Sequence, residues 1–407
     1  MIGTAGKVLS YGPCCDHCLG RFFGKRGHGL TNDQRGRAIR ITHSMECGVP
    51  YEPFSGTCWI CGNFFETLPS WAGRIVDALA STEYATFLIG CRVPPLISES
   101  EEMVISDLSL THAELFKSEV NREAGKAVAS LTGKVVDFTA PDVVVLIDIT
   151  KDIIELQKNP VFLYGRYRKL ERGIPQTHWN CRACRGAGCE RCNFTGKQYQ
   201  DSVEELIGRP AVALFHAENA VLHGAGREDI DARMIGSGRP FILEIVSPLH
   251  RSIDLKELES AINESAAGRV EVELERWSGH SEVETLKSNK AHKKYRIVVE
   301  ADGAPSADAF VKALNSLSGA KISQRTPERV AHRRADKIRE RRVLDIVCTG
   351  NEAGRFVIEV TGEAGLYIKE LISGDNGRTR PSLSEVLGTP ARVVSLDVVL
   401  VEERKGE

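Results

Sequence analysis

The sequence predicts an α+β protein, and three observations carry the prediction. Apolar runs of strand character fill the stretch from Val143 to Tyr164, and a β-α-β pattern occurs twice after about residue 200. Eight of the twelve cysteines fall into four C-x-x-C pairs set apart from these periodic segments. The 407 residues are enough for two or three domains, each with its own core.

Residues 1 to about 75 mix glycine, cysteine and aromatics around one helix. That helix opens at the capping-box pattern Thr31, Asn32, Asp33, Gln34, in which Gln34 returns a hydrogen bond to the cap. Further on, Val143 to Ile149, Ile153 to Leu156 and Val161 to Tyr164 read as strands. The first β-α-β unit runs through Phe241 to Val246, a helix with Leu255, Leu258 and Ile262, and the alternating Val270, Val272 and Leu274. The second has a strand with Tyr295, Ile297 and Val299, a helix with Phe310, Leu314 and Leu317 ended by Gly319, and a return at Lys321 to Gln324. Strands at Phe356 to Val360 and Val393 to Val401 then complete one mixed sheet with its helices to one side. The expected organisation is an accessory domain over 1–180, a cysteine-rich connector over 181–200 and an α+β catalytic domain over 201–407.

A net charge of −2 neither demands nor forbids a polyanionic partner, so any nucleic-acid contact has to rest on local patches. No run of about 18 apolar residues and no signal-like start are present, which disfavours membrane insertion and secretion and leads to an expected cytoplasmic location. Cysteine pairs in such a chain favour metal over disulfides. Cys181, Cys184, Cys189 and Cys192 form C-x2-C-x4-C-x2-C around Arg185-Gly186-Ala187-Gly188, a reversal that brings both pairs onto one centre. Four thiolates leave no open position, so a zinc ion there is expected to be structural. Cys15 and Cys18 are expected to share a second zinc with Cys58 and Cys61. Cys47, Cys91 and Cys348 stand alone and read as buried small hydrophobes.

Gly226-Arg227-Glu228-Asp229-Ile230-Asp231 crowds three carboxylates and an arginine into a glycine-flanked turn, a pattern that an exposed polar loop would share. It joins three other segments: Lys293-Lys294-Tyr295, Arg325 to Arg334, and Gly365-Leu366-Tyr367-Ile368-Lys369-Glu370-Leu371. Together with Tyr164 to Lys169, Pro175-Gln176-Thr177, Ser202 to Leu206 and Ser373-Gly374-Asp375, this set resembles the archaeal and eukaryotic pseudouridine synthase family that modifies tRNA positions 54 and 55.

The resemblance implies a zinc-containing, THUMP-type RNA-binding domain followed by the pseudouridine synthase fold. Its G-R-x-D pattern makes Asp229 the nucleophile, with Glu228 and Asp231 as loop neighbours of no assigned chemistry. An aspartate, with an ordinary pKa near 3.9, attacks C1′ or C6 of the target uridine without a separate base. Tyr295 becomes the tyrosine that stacks on the base, Tyr367 lines the uracil pocket, and Lys369 pairs with the catalytic carboxylate. Leu366 departs from the threonine often found before that tyrosine. An isomerisation needs no organic cofactor, and no glycine-rich nucleotide fingerprint is evident.

Between Arg325 and Arg342, eight lysines and arginines face three acids, so Arg325, Arg329, Arg333 and Arg334 are expected to grip RNA phosphates. Arg166, Arg168, Lys169 and Arg172, interleaved with Tyr164 and Tyr167, read as a further RNA patch. The target nucleotide has to leave its stack before attack, and Arg227 or His223 is expected to fill the vacated space. The expected partner is the tRNA T-arm, with no obligate protein partner. The competing classes are a non-catalytic zinc-containing RNA-binding module and a THUMP-bearing methyltransferase or thiouridine synthase. The intact Asp229, Tyr295 and Lys369 argue against the first, and the missing cofactor fingerprint against the second.

Overall fold

A computed structural model describes residues 1–288, 291–352 and 355–402, which form two compact units. The first comprises Met1–Pro160 with Ser247–Arg251 and the second Val161–Val246 with Ser252–Glu407. Among the described residues no helix is long and apolar enough to cross a membrane.

The first unit has a four-stranded sheet made of β1 (Thr86–Arg92), β2 (Val135–Val136), β3 (Val143–Asp148) and β4 (Ile153–Lys158), in the order β2-β1-β3-β4. The helix Phe116–Thr132 lies on β1 and the helix Phe64–Leu79 on β4. Alternate residues Val143, Val145 and Ile147 are buried, as a strand with one face on a core requires. The capping box holds: Thr31 N–H donates to Gln34 Oε1 at 3.2 Å, and Asn32–Cys47 ends on left-handed Gly48.

The second unit is built on a ten-stranded sheet. Its strands are β5 (Val161–Lys169), β6 (Asn219–Gly224), β7 (Arg233–Val246), β8 (Val270–Ser278), β9 (Lys293–Ala301), β10 (Lys321–Arg325), β11 (Ile338–Glu352), β12 (Arg355–Gly362), β13 (Thr379–Arg380) and β14 (Ala391–Val401). They run in the order β13-β10-β11-β12-β9-β14-β7-β5-β8, and β6 also pairs with β7. Among the described residues of this sheet only β14 and β7 pair in parallel, which makes the sheet mixed.

The boundary expected at residue 180 is corrected by β5. This strand pairs antiparallel with both β7 and β8, so its backbone groups are satisfied inside the second sheet and the units divide after Pro160. The first β-α-β unit is therefore split, with β5 inserted between β7 and β8. In the second, β10 lies beyond β12 and β11 and runs antiparallel to β9. The helices also occupy both faces. Leu163 and Tyr167 of β5 face the main core, whereas Phe162 and Tyr164 pack with Val283 and Leu286 of the helix His280–Ser288.

Candidate active site

A cavity of about 760 Å³ opens within the second unit. It is lined by the loop Gly226–Ala232, Lys293 and Tyr295 of β9, Arg339 and Arg341 of β11, the segment Gly365–Lys369, Leu396 and Val398 of β14, Arg329 and Arg334, and Trp179. Gly226 is required where it stands: its φ is +80°, and a Cβ there would lie 3.2 Å from Lys293 Nζ and 3.3 Å from Arg239 Nη1.

Asp229 projects into this cavity between two cations. Arg329 Nη1 donates to its Oδ1 at 3.0 Å, and Lys369 Nζ stands 3.6 Å from its Oδ2. Arg329 is anchored behind by Glu370, whose Oε1 accepts from Nε at 2.6 Å. Burial works to lower the Arg329 pKa, but Glu370 and Asp229 together hold it above the ordinary value. Lys369 makes its shorter contacts with Asp231, at 2.6 and 2.8 Å. Burial opposes ionisation of Asp231, yet Lys369 keeps its carboxyl below the usual range. Asp231, expected as a bystander, thus competes with Asp229 for one ammonium.

The loop rests on a buried polar network. Glu228, expected as a loop neighbour of no assigned role, is 7 % exposed and accepts from Arg239 Nε at 2.9 Å and from the Tyr167 hydroxyl at 2.9 Å. The donors left over in this network hold the loop's carbonyls. Arg239 Nη1 reaches Ala225 O at 2.7 Å, Gln176 reaches Gly226 O at 3.0 Å, and Lys169 Nζ reaches Asp229 O at 3.2 Å and Ile230 O at 3.3 Å. The RNA patch expected on Tyr164 to Arg172 is corrected accordingly. Tyr167 and Lys169 are fully buried, Arg168 pairs with Glu271, and Arg172 binds Asp397.

Of the predicted site residues, Asp229, Tyr295, Tyr367, Lys369, Arg227, Arg329 and Arg334 all line the cavity. Burial pushes the Tyr295 phenol up to about 12, with Arg239 opposing and Asp229 adding to the shift. Gln324, itself buried, clamps Tyr367 by accepting from its N–H at 2.8 Å and donating to its C=O at 2.9 Å. The Tyr367 hydroxyl accepts from Arg334 at 3.2 Å, and Leu366 is packed into the core. Arg227 lies over the Trp179 ring, 5.1 Å from its centroid. Arg325 does not line the cavity: Asp336 takes its guanidinium at 2.9 Å. His223 is paired with Glu244 at 2.7 Å and is likewise absent from the lining. The Arg333 side chain lies outside the described residues. Sequence reasoning missed Arg239 and Glu370, neither of which stands at a position that a periodic pattern marks.

Two four-cysteine clusters can each hold a metal ion: Cys15, Cys18, Cys58 and Cys61 in the first unit, and Cys181, Cys184, Cys189 and Cys192 in the second. Four sulfurs at about 2.3 Å from a tetrahedral ion stand about 3.8 Å apart. The Cys15–Cys61 sulfurs are 3.7 Å apart, and those of Cys181–Cys189, Cys184–Cys192 and Cys189–Cys192 are at 3.9, 3.8 and 3.7 Å. These spacings fit an ion and are far too long for S–S bonds. Backbone N–H groups of Gly188, Cys189 and Gly196 point at sulfurs of the second cluster at 3.2 to 3.3 Å, the contacts that stabilise thiolates. Of the solitary cysteines, Cys91 is buried as expected, but Cys47 is exposed beside His43 and Cys348 is only half-buried.

Comparison with known proteins places the chain in a family. The model "Pus10, C-terminal" matches residues 162–402, and "Pus10 THUMP domain, archaeal" matches residues 71–148. The "tRNA pseudouridine synthase Pus10" of Methanothrix thermoacetophila is 44 % identical over 425 aligned positions, covering 98 % of this chain and 94 % of that one. Its namesake from Methanothermobacter marburgensis is 47 % identical, covering 96 % and 95 %. Among solved structures, a chain of a Cbf5-Nop10-Gar1 complex is similar at 17 % identity and a TM-score of 0.32, over 49 % of this chain and 45 % of that one. The chain is therefore an α+β isomerase with a THUMP domain ahead of its catalytic domain, and it belongs to the Pus10 family of tRNA pseudouridine synthases.

Proposed function

We propose that the chain isomerises uridine to pseudouridine in the T-loop of tRNA, at position 54, position 55 or both, with Asp229 as the nucleophile. The observation that carries this reading is one carboxylate held between Arg329 and Lys369 in a cavity whose lining is rich in arginine and lysine. The cavity suits a nucleotide turned out of its loop, with the arginines on its rim meeting phosphates.

In the proposed reaction Asp229 adds to the target nucleotide and frees the uracil from C1′. The base turns, C5 bonds to C1′, the carboxylate departs, C5 loses its proton and N1 gains one. Atoms balance within the nucleotide, so no redox partner, group donor or organic cofactor enters. Arg329 and Lys369 orient the carboxylate. Tyr295, neutral at pH 7 with its pKa near 12, offers a ring to stack on the uracil and a hydroxyl beside it. Tyr367 and Arg334 close another wall, while Arg227 follows the base outward and fills its place. Structural zinc is proposed at both cysteine clusters, with the first unit acting as an RNA-binding accessory body in a cytoplasmic enzyme that works without an obligate protein partner.

The test is to incubate the purified chain with an unmodified tRNA transcript and map pseudouridine. Product at the T-loop that disappears with Asp229→Asn, while tRNA binding and melting persist, supports the reading. An active Asp229→Asn, or product only elsewhere, overturns it.

A further inference from the structure

The cysteine-rich segment expected to be only a structural connector has features that folding does not require. Its base is a short hairpin: Cys181 N–H donates to Gly196 O at 2.7 Å, Asn180 bridges Lys197, and Gln198 N–H donates to Trp179 O at 2.8 Å. Four sulfurs brace the interior. A Cβ on Gly196 would meet Gly186 O at 2.4 Å, so the turn is closed as tightly as backbone allows.

What the brace presents is basic and aromatic. Arg182, Arg185 and Arg191 are all exposed, and among the described residues none of the three forms an ion pair. Lys197 is satisfied by Glu205, which leaves Glu190 as the acid among three arginines. Phe194 is 74 % exposed and has φ +60°, a conformation that bulky residues rarely adopt. Neither burial nor backbone preference accounts for a phenylalanine there, and such outliers concentrate at binding sites.

The same hairpin reaches the catalytic cavity. Trp179 at its base lines that cavity, meets Tyr199 edge-on at 5.6 Å between ring centroids, and carries Arg227 over its face. The braced tip is thus built on the wall of the site that receives the target nucleotide.

We propose that this cysteine-braced knuckle is an RNA-binding surface: Arg182, Arg185 and Arg191 hold phosphates of the substrate RNA beside the target nucleotide, and an unpaired base stacks on Phe194. Charge complementarity favours RNA as the occupant, because three cations without carboxylate partners stand out on a chain whose net charge is −2. Stacking tolerates any base, so the knuckle adds grip rather than sequence choice. The proposal rests on the substrate being RNA and not on which uridine is converted.

The experiment measures binding of full-length protein to an unmodified tRNA transcript across a salt series, with metal content and melting recorded for each variant. Arg182→Ala/Arg185→Ala/Arg191→Ala should weaken binding and flatten the log K against log salt slope by about two, at about 0.7 per unpaired-strand phosphate. Lysine at the same three positions should restore the slope, and Phe194→Ala should weaken binding about tenfold with little change in slope. Metal content and melting should stay parental in all of them. Unchanged affinity and slope in the triple variant overturn the proposal, including the case in which the knuckle docks a protein instead. Weakening that lysine fails to rescue also overturns it, since the role would then not be phosphate binding. If the parental protein binds tRNA but forms no pseudouridine, the synthase reading fails and the salt series still decides the knuckle.

Discussion

Glu228, adjacent to Asp229 in sequence, accepts a hydrogen bond from Arg239 at 2.9 Å, with both side chains 1 % exposed. Neighbouring carboxylates therefore do opposite work. One is spent neutralising a buried guanidinium, and the other, 31 % exposed, lines the cavity between Arg329 and Lys369. Removing one partner of a buried pair strands the other charge in a low-dielectric interior, which costs about 3–5 kcal/mol. Glu228→Gln should lower melting clearly and reduce activity through the misplaced loop, whereas Asp229→Asn should melt like the parent. Thermal denaturation of the two variants side by side checks this, and equal melting would remove Glu228 from the scaffold.

Arg329 links Asp229 at 3.0 Å to Glu370 at 2.6 Å, so it fixes the direction of the proposed nucleophile from a buried anchor. A displacement of about 1 Å in a reacting group costs on the order of 100-fold in rate. Arg329→Ala should lose at least that much in kcat under single-turnover conditions. Arg329→Lys can reach one carboxylate but not both, and should fall between the two.

Asp231 holds Lys369 at 2.6 Å while Asp229 sits 3.6 Å from the same ammonium. Asp231→Asn frees Lys369 to close on Asp229 and should change the rate modestly in either direction. Lys369→Met leaves both carboxylates facing each other and should be the more damaging change. Rates of pseudouridine formation for the pair rank the contacts, and the reverse order would mean that Asp231 takes part in the reaction.

The strands were legible in the sequence because each is local and alternation marks it, whereas the turn Gly226–Asp231 is a pattern that an exposed polar loop shares and drew its candidate role from the other segments of the resemblance. The support of that loop was not legible. Period-two alternation shows that Tyr167 and Lys169 share a face, but it cannot say that this face is the buried one. Two tyrosines among arginines read as an RNA patch for that reason, and β5 was assigned to the wrong half of the chain. Arg239 sits on β7 between glycines and a proline, with no periodic signal, and its role exists only because the sheet brings it under Ala225. Glu370 lies beside the recognised Lys369, yet successive helix positions point about 100° apart, so the two serve different partners.

The final prediction concerns pH and Lys293, whose ammonium is near Gly226 and Arg239. Burial, reinforced by the Arg239 charge and opposed by Glu228, pulls its pKa from 10.5 down to about 8. The unfolded chain then binds more protons than the folded one between about pH 8 and 10.5, so this residue makes stability rise with pH across that window. Below it, the protonated form is a standing cost to the fold. Lys293→Met should therefore raise the melting temperature at pH 7 and flatten its rise between pH 8 and 10. The cost has a use if the cavity receives polyanionic RNA, since a nearby phosphate would favour the charged ammonium. Binding of tRNA at pH 8.5 should then take up protons, read as a dependence of the calorimetric heat on buffer ionisation enthalpy, and Lys293→Met should lose most of that uptake. Parental uptake in the variant would show that the protons go elsewhere.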